Sequence, residues 1–479
     1  MREPITNRGD IRNELFETVR CFCACESDCA ESVVFTHIRS GKNIFFVSVG
    51  DKKYKYEYAL CPYEDRLEYV RYDLYTCKSA LYCALSEYFG RKMPWGSLTG
   101  IRPTRVAARL LERGVPHEDI AARLCSDYFV SRDKAELTAR IISVQNRTVG
   151  DRMSVVSGGG QYPPNNLVNL YVHIPFCPTR CAYCSFVSEG IEKKTWLLSP
   201  YAEALCREIR RTKAIIAEQN KKIFSVYIGG GTPTVLPPEL LRSVLEAAYC
   251  EDAEYTCEAG RPDTIDEEKL RVMYQSGVNR ISVNPQTLHD KTLQAIGRAH
   301  SSACFFEAYN IAARFGFVKN VDLIAGLEGE TEDDFASSLC GVLALSPENI
   351  TVHTLCLKRG SRNALCETEQ NSHTEKMVNY SAGALSSSGY EPYYLYRQKQ
   401  MTANLENIGW CKPNFLCVNN VTVMEETLPV YACGAGAISK LTLSGGRILR
   451  FANAKDVILY LREFEERIAK KELFYTTNC

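Results

Sequence analysis

The chain has 479 residues, 45% of them hydrophobic and 24% charged, the balance of an ordinary globular protein. Lys plus Arg and Asp plus Glu number 57 each, so no net field draws the chain to nucleic acid or to an anionic membrane. Any anionic ligand must be held by local positive charge, and the length predicts about two to four domains.

The first stretch, "MREPITNRGDIRNELF", is charged from its second residue and lacks the apolar core of a signal peptide. No run approaches the ~18 consecutive apolar residues of a membrane span. The expectation is a cytoplasmic protein, in which the 22 cysteines are thiols or metal ligands rather than a disulfide framework. "CFCACESDC" (Cys21, Cys23, Cys25, Cys29) suggests a metal site, but C-x-C-x-C alternates along an extended chain without strand–helix context, so these read as ordinary thiols. "NIFFVSVGDKKYKYEYAL" reads as a hairpin about a Gly-Asp turn, and "RVAARLLERG" as a helix stopping at Gly114. "SGGGQYPPNN", residues 157 to 166, reads as a linker. The expected division is an N-terminal α+β domain over 1–156, a linker, a core over 167–390 and a C-terminal α+β appendage over 391–479.

After the linker, strand-like and helix-like segments alternate. "NLYVHI" precedes "YAEALCREIRRTKAII", "FSVYI" precedes "PPELLRSVLEAAY", and "EYTCEA" precedes "DEEKLRVMYQSG". "NRISVN" precedes "TLHDKTLQAIG", "VKNVDLIAGL" precedes "EDDFASSLCGVLAL", and "NITVHTLCL" comes sixth. Such alternation implies parallel strands with helical crossovers. A doubly wound sheet and a curved or partial barrel share this pattern.

Two strand ends carry the chemistry, where ligands bind in parallel α/β folds. "HIPFCPTRCAYCSF" after the first strand holds Cys177, Cys181 and Cys184 in a C-x₃-C-x₂-C frame. Structural zinc takes four protein ligands. A four-iron cluster on three cysteines leaves one iron open to a small molecule. "YIGGGTPT" ends the next strand, and its glycines let backbone approach a ligand closely and offer N–H groups to an anion.

Together these stretches resemble a radical S-adenosylmethionine (SAM) enzyme. "YVHIPFC", "GGGTPT" and "QTLHDKTLQAIGRAH" resemble the oxygen-independent coproporphyrinogen III oxidase group. "LTGIRPTR", "EAGRPDTI", "VHTLCLKRGS", "NLENIGW" and "GAGAISK" extend the likeness to HemZ-type coproporphyrinogen dehydrogenases. The resemblance implies a partial (β/α)6 radical SAM barrel with the two flanking α+β parts. It also implies a [4Fe–4S] cluster on Cys177, Cys181 and Cys184, with SAM chelating the fourth iron. Carried over by position, the SAM contacts are Tyr171, Tyr183, Gly230, Gly231, Thr232, Glu258, Gln286, Arg298 and Asp322. Carbonyls of Gly231 and Thr232 and the Glu258 carboxylate suit the methionyl ammonium. Gln286 and Asp322 suit ribose hydroxyls, Arg298 a carboxylate and Tyr183 the adenine. The implied reaction is oxidative decarboxylation of two propionates of coproporphyrinogen III to vinyl groups, through a 5′-deoxyadenosyl radical.

The implied partners are a tetrapyrrole substrate and an electron donor such as flavodoxin or ferredoxin. No nucleic acid or membrane partner is expected, and the chain is expected to be a monomer. Arg261, Lys358, Arg359 and Arg397, near predicted strand ends, are candidates for a cationic rim facing substrate carboxylates, although each taken alone reads more readily as an exposed surface charge. Two departures stand out: the bacterial decarboxylases have a fourth cysteine soon after the third, where this chain has Ser185 and Phe186, and their N-terminal substrate-binding segment has no match. A heme chaperone shares the barrel and its three cysteines, but the HNxxYW motif associated with it is absent. A radical methylase is a further alternative.

Overall fold

The alternating apolar runs form six parallel strands. In this computed structural model they are β1 (Leu167–Ile174), β2 (Lys222–Gly230), β3 (Glu254–Gly260), β4 (Arg280–Val283), β5 (Val318–Ala325) and β6 (Asn349–Thr354). The structure describes residues 3–22, 32–99, 102–156, 166–184, 189–192, 194–356, 367–398, 401–443 and 447–477. The six strands lie side by side in sequence order, each joined to the next by a helical crossover. Most of their positions are buried, as expected of a parallel sheet covered by helices.

Local chemistry sets the crossover helices. Leu198–Glu218 follows β1, and Pro238–Ala248 starts with Pro in its first turn. Glu267–Gln275 is capped by Asp266, whose side chain accepts from the Lys269 N–H. Glu332–Ala344 begins with a reciprocal capping box between Thr331 and Asp334. The crossover from β4 to β5 holds two helices, Asp290–Ala295 and Ser302–Ala313. The second was not expected, because "SACFFEAYNIAA" is apolar on nearly every face and shows no clear stripe.

The sheet stays open. β7 (Glu391–Tyr396) and β8 (Asn407–Cys411) extend the β6 edge, with Ile350 opposite Trp410 in antiparallel register. β9 (Val430–Cys433) lies parallel to β1, followed by β10 (Ile438–Thr442) and β11 (Ile448–Ala452). The segment after residue 390 therefore supplies strands to both edges of the main sheet. Its strands pair backbone groups of β1 and β6 that would otherwise be left open at buried edges.

The chain forms two compact units. One comprises Met1–Ser143, Cys356–Lys376 and Leu395–Asn407; the other comprises Val144–Leu355, Met377–Tyr394 and Ile408–Cys479. Two late segments thus belong with the N-terminal unit, and the expected linker lies almost wholly outside the described residues. In the first unit Asn43–Val49 and Lys52–Tyr58 form the hairpin read from the sequence, paired to Val33–Arg39. Helices Arg12–Phe22 and Arg66–Phe89 contribute Leu15, Phe22, Leu81 and Leu85 to a core with Phe35 and Phe45. Cys21 sits in the first helix, where its thiol donates to the Glu17 carbonyl, and not in an extended strand. Cys23, Cys25 and Cys29 lie outside the described residues. No helix among the described residues is long and apolar enough to cross a membrane.

Candidate active site

In five core strands a partly exposed polar or aromatic side chain stands between buried neighbours: Tyr171, Tyr227, Glu258, Asp322 and His353. Strand register places them on one face. Tyr171 lies opposite Tyr227, Glu258 opposite Ser282, Ser282 opposite Asn320, and Asp322 opposite Thr351; residues two apart share a face. A row of polar groups therefore crosses the sheet near its carboxyl ends. Tyr227 and His353 were missed in the sequence, since one polar residue in a strand looks like ordinary alternation.

The two carboxylates in this row differ. Burial pushes the Glu258 carboxyl up to about 7, assisted by nearby Asp322 and opposed by the hydrogen bond from the Tyr227 hydroxyl. Burial also opposes the charge on Asp322, but hydrogen bonding and attraction from His353, with Asn320 and Thr351, outweigh it and lower its pKa. The His353 Nε2 lies 3.5 Å from Asp322, and the Asn320 amide donates to it at 2.7 Å. Gln286 is held between β4 and β5 by its backbone, donating to Asp322 O and accepting from Ile324 N. Its φ of 73° is a left-handed conformation for a non-glycine residue, and its buried side-chain Oε1 has no protein partner.

The glycine run packs against the start of the cysteine loop. A Cβ at Gly230 would overlap the His173 ring, and one at Gly231 would overlap the Phe176 backbone. The Gly231 and Thr232 N–H groups donate to Ile174 O and Phe176 O, both at 2.7 Å. These donors are therefore spent on the fold, and the expectation that they receive an anion is corrected. The same turn brings Thr232 Oγ1 to 3.5 Å from Cys177 Sγ. Cys181 is buried, Cys177 and Cys184 are partly exposed, and none of the described cysteines forms a disulfide.

Two buried arginines flank the cysteine loop. Arg298 donates to the Tyr183 hydroxyl at 3.0 Å and to Asn284 O at 2.7 Å. Arg261, expected on a substrate-facing rim, is only 3% exposed. Its guanidinium forms a fork with Asp263 (2.9 and 3.0 Å) and reaches Thr179 and Cys181. Burial works against its charge, but Asp263 and the nearby cysteines prevail and hold it more firmly protonated than usual. Arg397 is likewise committed: it donates to the carbonyls of Leu98, Leu405 and Asn404 and lies over the Trp95 ring. Neither arginine is available as a rim cation, while Lys358 and Arg359 lie outside the described residues. In the N-terminal unit His37, Asp73 and Cys77 present ligand atoms within 4.8 Å of one another. Arg8 and Arg39 already neutralise Asp73 at 2.7 and 2.5 Å, so a cation there would meet positive charge.

The donor set fits a cluster with SAM. Three thiols on one short loop, with a glycine turn pressed against its base, match three-cysteine ligation. Glu258 and the orphan Oε1 of Gln286 are acceptors left for an ammonium and a hydroxyl.

A model of the radical SAM superfamily matches residues 171–339. The oxygen-independent coproporphyrinogen-III oxidase-like protein HemZ of Bacillus subtilis (strain 168) is 36% identical over 81% of this chain and 78% of its own length. The heme chaperone HemW of Haemophilus influenzae is 30% identical over 62% of this chain and 76% of its own. Among solved structures, coproporphyrinogen III oxidase (HemN) from Escherichia coli, described as a radical SAM enzyme, is 21% identical. It covers 66% of this chain and 73% of its own with a TM-score of 0.51, a likeness of fold.

Proposed function

The chain belongs to the radical SAM superfamily, in its oxygen-independent coproporphyrinogen oxidase-like group, and on that footing we propose that it decarboxylates coproporphyrinogen III to protoporphyrinogen IX. The family brings a [4Fe–4S] cluster and SAM as cofactors. Once bound, these supply a 5′-deoxyadenosyl radical able to take hydrogen from an unactivated carbon. In the proposed reaction each of two propionates loses a β-hydrogen atom, then carbon dioxide, and passes one electron to an acceptor, leaving a vinyl group.

The residues of the chain have distinct tasks in this reading. Cys177, Cys181 and Cys184 hold the cluster. Glu258 as the carboxylate, with carbonyls of Gly231 and Thr232, receives the methionyl ammonium. Gln286 and Asp322 take ribose hydroxyls, with Asp322 kept ionised by His353. Tyr183, held by Arg298, and Tyr171 pack against the rest of the cofactor.

The observation that carries the cofactor half is the row of acceptors on one face of the sheet beside a loop with three thiols. The substrate half is supported by 36% identity to a coproporphyrinogen-III oxidase-like protein over most of the chain. The HemW relatives favour a second reading, heme binding. Against it, the "NLENIGW" segment that stands where the chaperone motif is missing turns inward. Glu406 is fully buried and bonded to Lys134 and Trp95, and Trp410 is 1% exposed.

Anaerobic turnover separates the readings. With reconstituted cluster, reductant, SAM and coproporphyrinogen III, the product should have lost two carbon dioxide equivalents by mass. SAM cleavage with unchanged porphyrinogen would overturn the substrate, and tight heme binding without turnover would favour the chaperone.

A further inference from the structure

The Arg261 side chain is placed by its own short turn. β3 ends at Gly260 with φ of 48°, and Pro262–Thr264 forms a single 3-10 turn directly after Arg261. Two residues on, Asp263 grips Nε and one terminal nitrogen of the guanidinium bidentately. That fixes the rotamer and cancels the charge locally. The remaining donors point across 80 residues of sequence at the cysteine loop. One terminal nitrogen lies 3.6 Å from Cys181 Sγ and 3.4 Å from Thr179 O, and both terminal nitrogens lie within 3.3 Å of Thr179 Oγ1.

The loop is held on its other side as well. Thr179 Oγ1 donates to Gly297 O at 3.1 Å and Ala182 N to Ile296 O at 3.0 Å. Arg261 is thus one jaw of a clamp, and the donor it aims at sulfur is buried.

We propose that Arg261 is a positioning residue that donates a hydrogen bond to Cys181, the central thiolate ligand, and thereby raises the reduction potential of the cluster. A hydrogen bond to a ligating sulfur stabilises the more negatively charged, reduced state. Arg261 is suited to the task because its planar fork can serve Asp263 and the loop together, which a lysine cannot. The chain thereby eases the entry of the electron that the radical chemistry needs. This inference rests on cluster ligation by Cys177, Cys181 and Cys184 and is independent of the substrate.

The test uses the full chain with reconstituted cluster and no substrate: iron and sulfide content, then a potentiometric titration followed by EPR of the reduced cluster. In R261Q the ratio of reduced to oxidised cluster at a fixed poise should fall about tenfold, a shift of about 59 mV for one electron. R261K, which keeps the charge but loses the fork, should fall in between. If R261Q folds by circular dichroism but fails to hold a cluster, Arg261 is a loop anchor and the titration of R261K decides the potential. Should R261Q not fold, R261K again decides. A full cluster at the wild-type midpoint in R261K and in every foldable R261Q preparation would overturn the proposal.

Discussion

Two carboxylates of the SAM-barrel unit, Glu208 and Glu258, meet opposite fates. Glu208 is buried and receives four donors: Gly434 N, Asn453, Tyr460 and Lys471, all at 2.7 to 2.8 Å. Lys471 in turn satisfies Ala432 O and Thr212. Burial opposes the Glu208 charge, yet these donors lower its pKa. Glu258 accepts from the Tyr227 hydroxyl and the Gly230 backbone, half as many donors and no counter-charged lysine, and burial raises its pKa to about 7. A closed set of donors makes a fastening; a carboxylate left short of donors at a strand end makes a receptor. The Glu208 cage also braces the loop against which His173 rests, since His173 Nδ1 donates to Ala435 O and Tyr201 bridges Ala435 N to His173 O.

If the open side is the cofactor site, the largest effect comes from its anchor. C181A should lose the cluster outright, read as near-zero iron and loss of the brown absorbance; a full cluster would remove the ligand assignment. The closed side should fail through stability instead. K471M leaves Glu208 without its counter-charge and should cost about 3–5 kcal/mol by denaturant unfolding, with SAM affinity of the folded fraction unchanged. A wild-type unfolding midpoint would show that the cage is no fastening.

G231A forces a methyl group into the Phe176 backbone and shifts the turn under the loop. Turnover should fall on the order of a hundredfold, as misplacement by about an ångström does. E258Q loses a charged hydrogen bond and should weaken SAM by about 10–100-fold in equilibrium binding, equivalent to about 1.5–3 kcal/mol. The same residue sets a pH dependence. Its folded value of about 7 exceeds the ordinary 4.5, so its contribution to the stability of the SAM-free protein is full below pH 4.5 and lost as pH rises through about 7. SAM needs the carboxylate, so its affinity should rise over that window, and E258Q should flatten both profiles. A slope that persists in E258Q would assign the titration elsewhere. The smallest effect belongs to His353: H353A should weaken SAM a few-fold, about 0.5–1.5 kcal/mol, by loosening Asp322. An unchanged affinity would leave His353 outside the site.

The candidate site was legible where its signal is local. Cys177, Cys181 and Cys184 stand within eight residues, GGG is contiguous, and Glu258 and Asp322 are conspicuous as carboxylates on apolar strands. Arg261 and Arg397 misled because, besides near neighbours such as Asp263 and Asn404, they bond to Thr179 and Leu98, which lie far away in sequence. His353 was passed over because the carboxylate it serves sits on the neighbouring strand.

By itself the sequence determined the alternation of strands and helices, the parallel pairing this implies and the three-thiol loop. Those features follow from side-chain periodicity and short spacings, which act within a few residues. Only the tertiary structure decided which strands close the sheet edges, which cations are already spent, and which buried carboxylate is satisfied and which waits. Each depends on hydrogen-bond partners brought from distant parts of the chain, and a buried polar group takes its role from the partners it has or lacks.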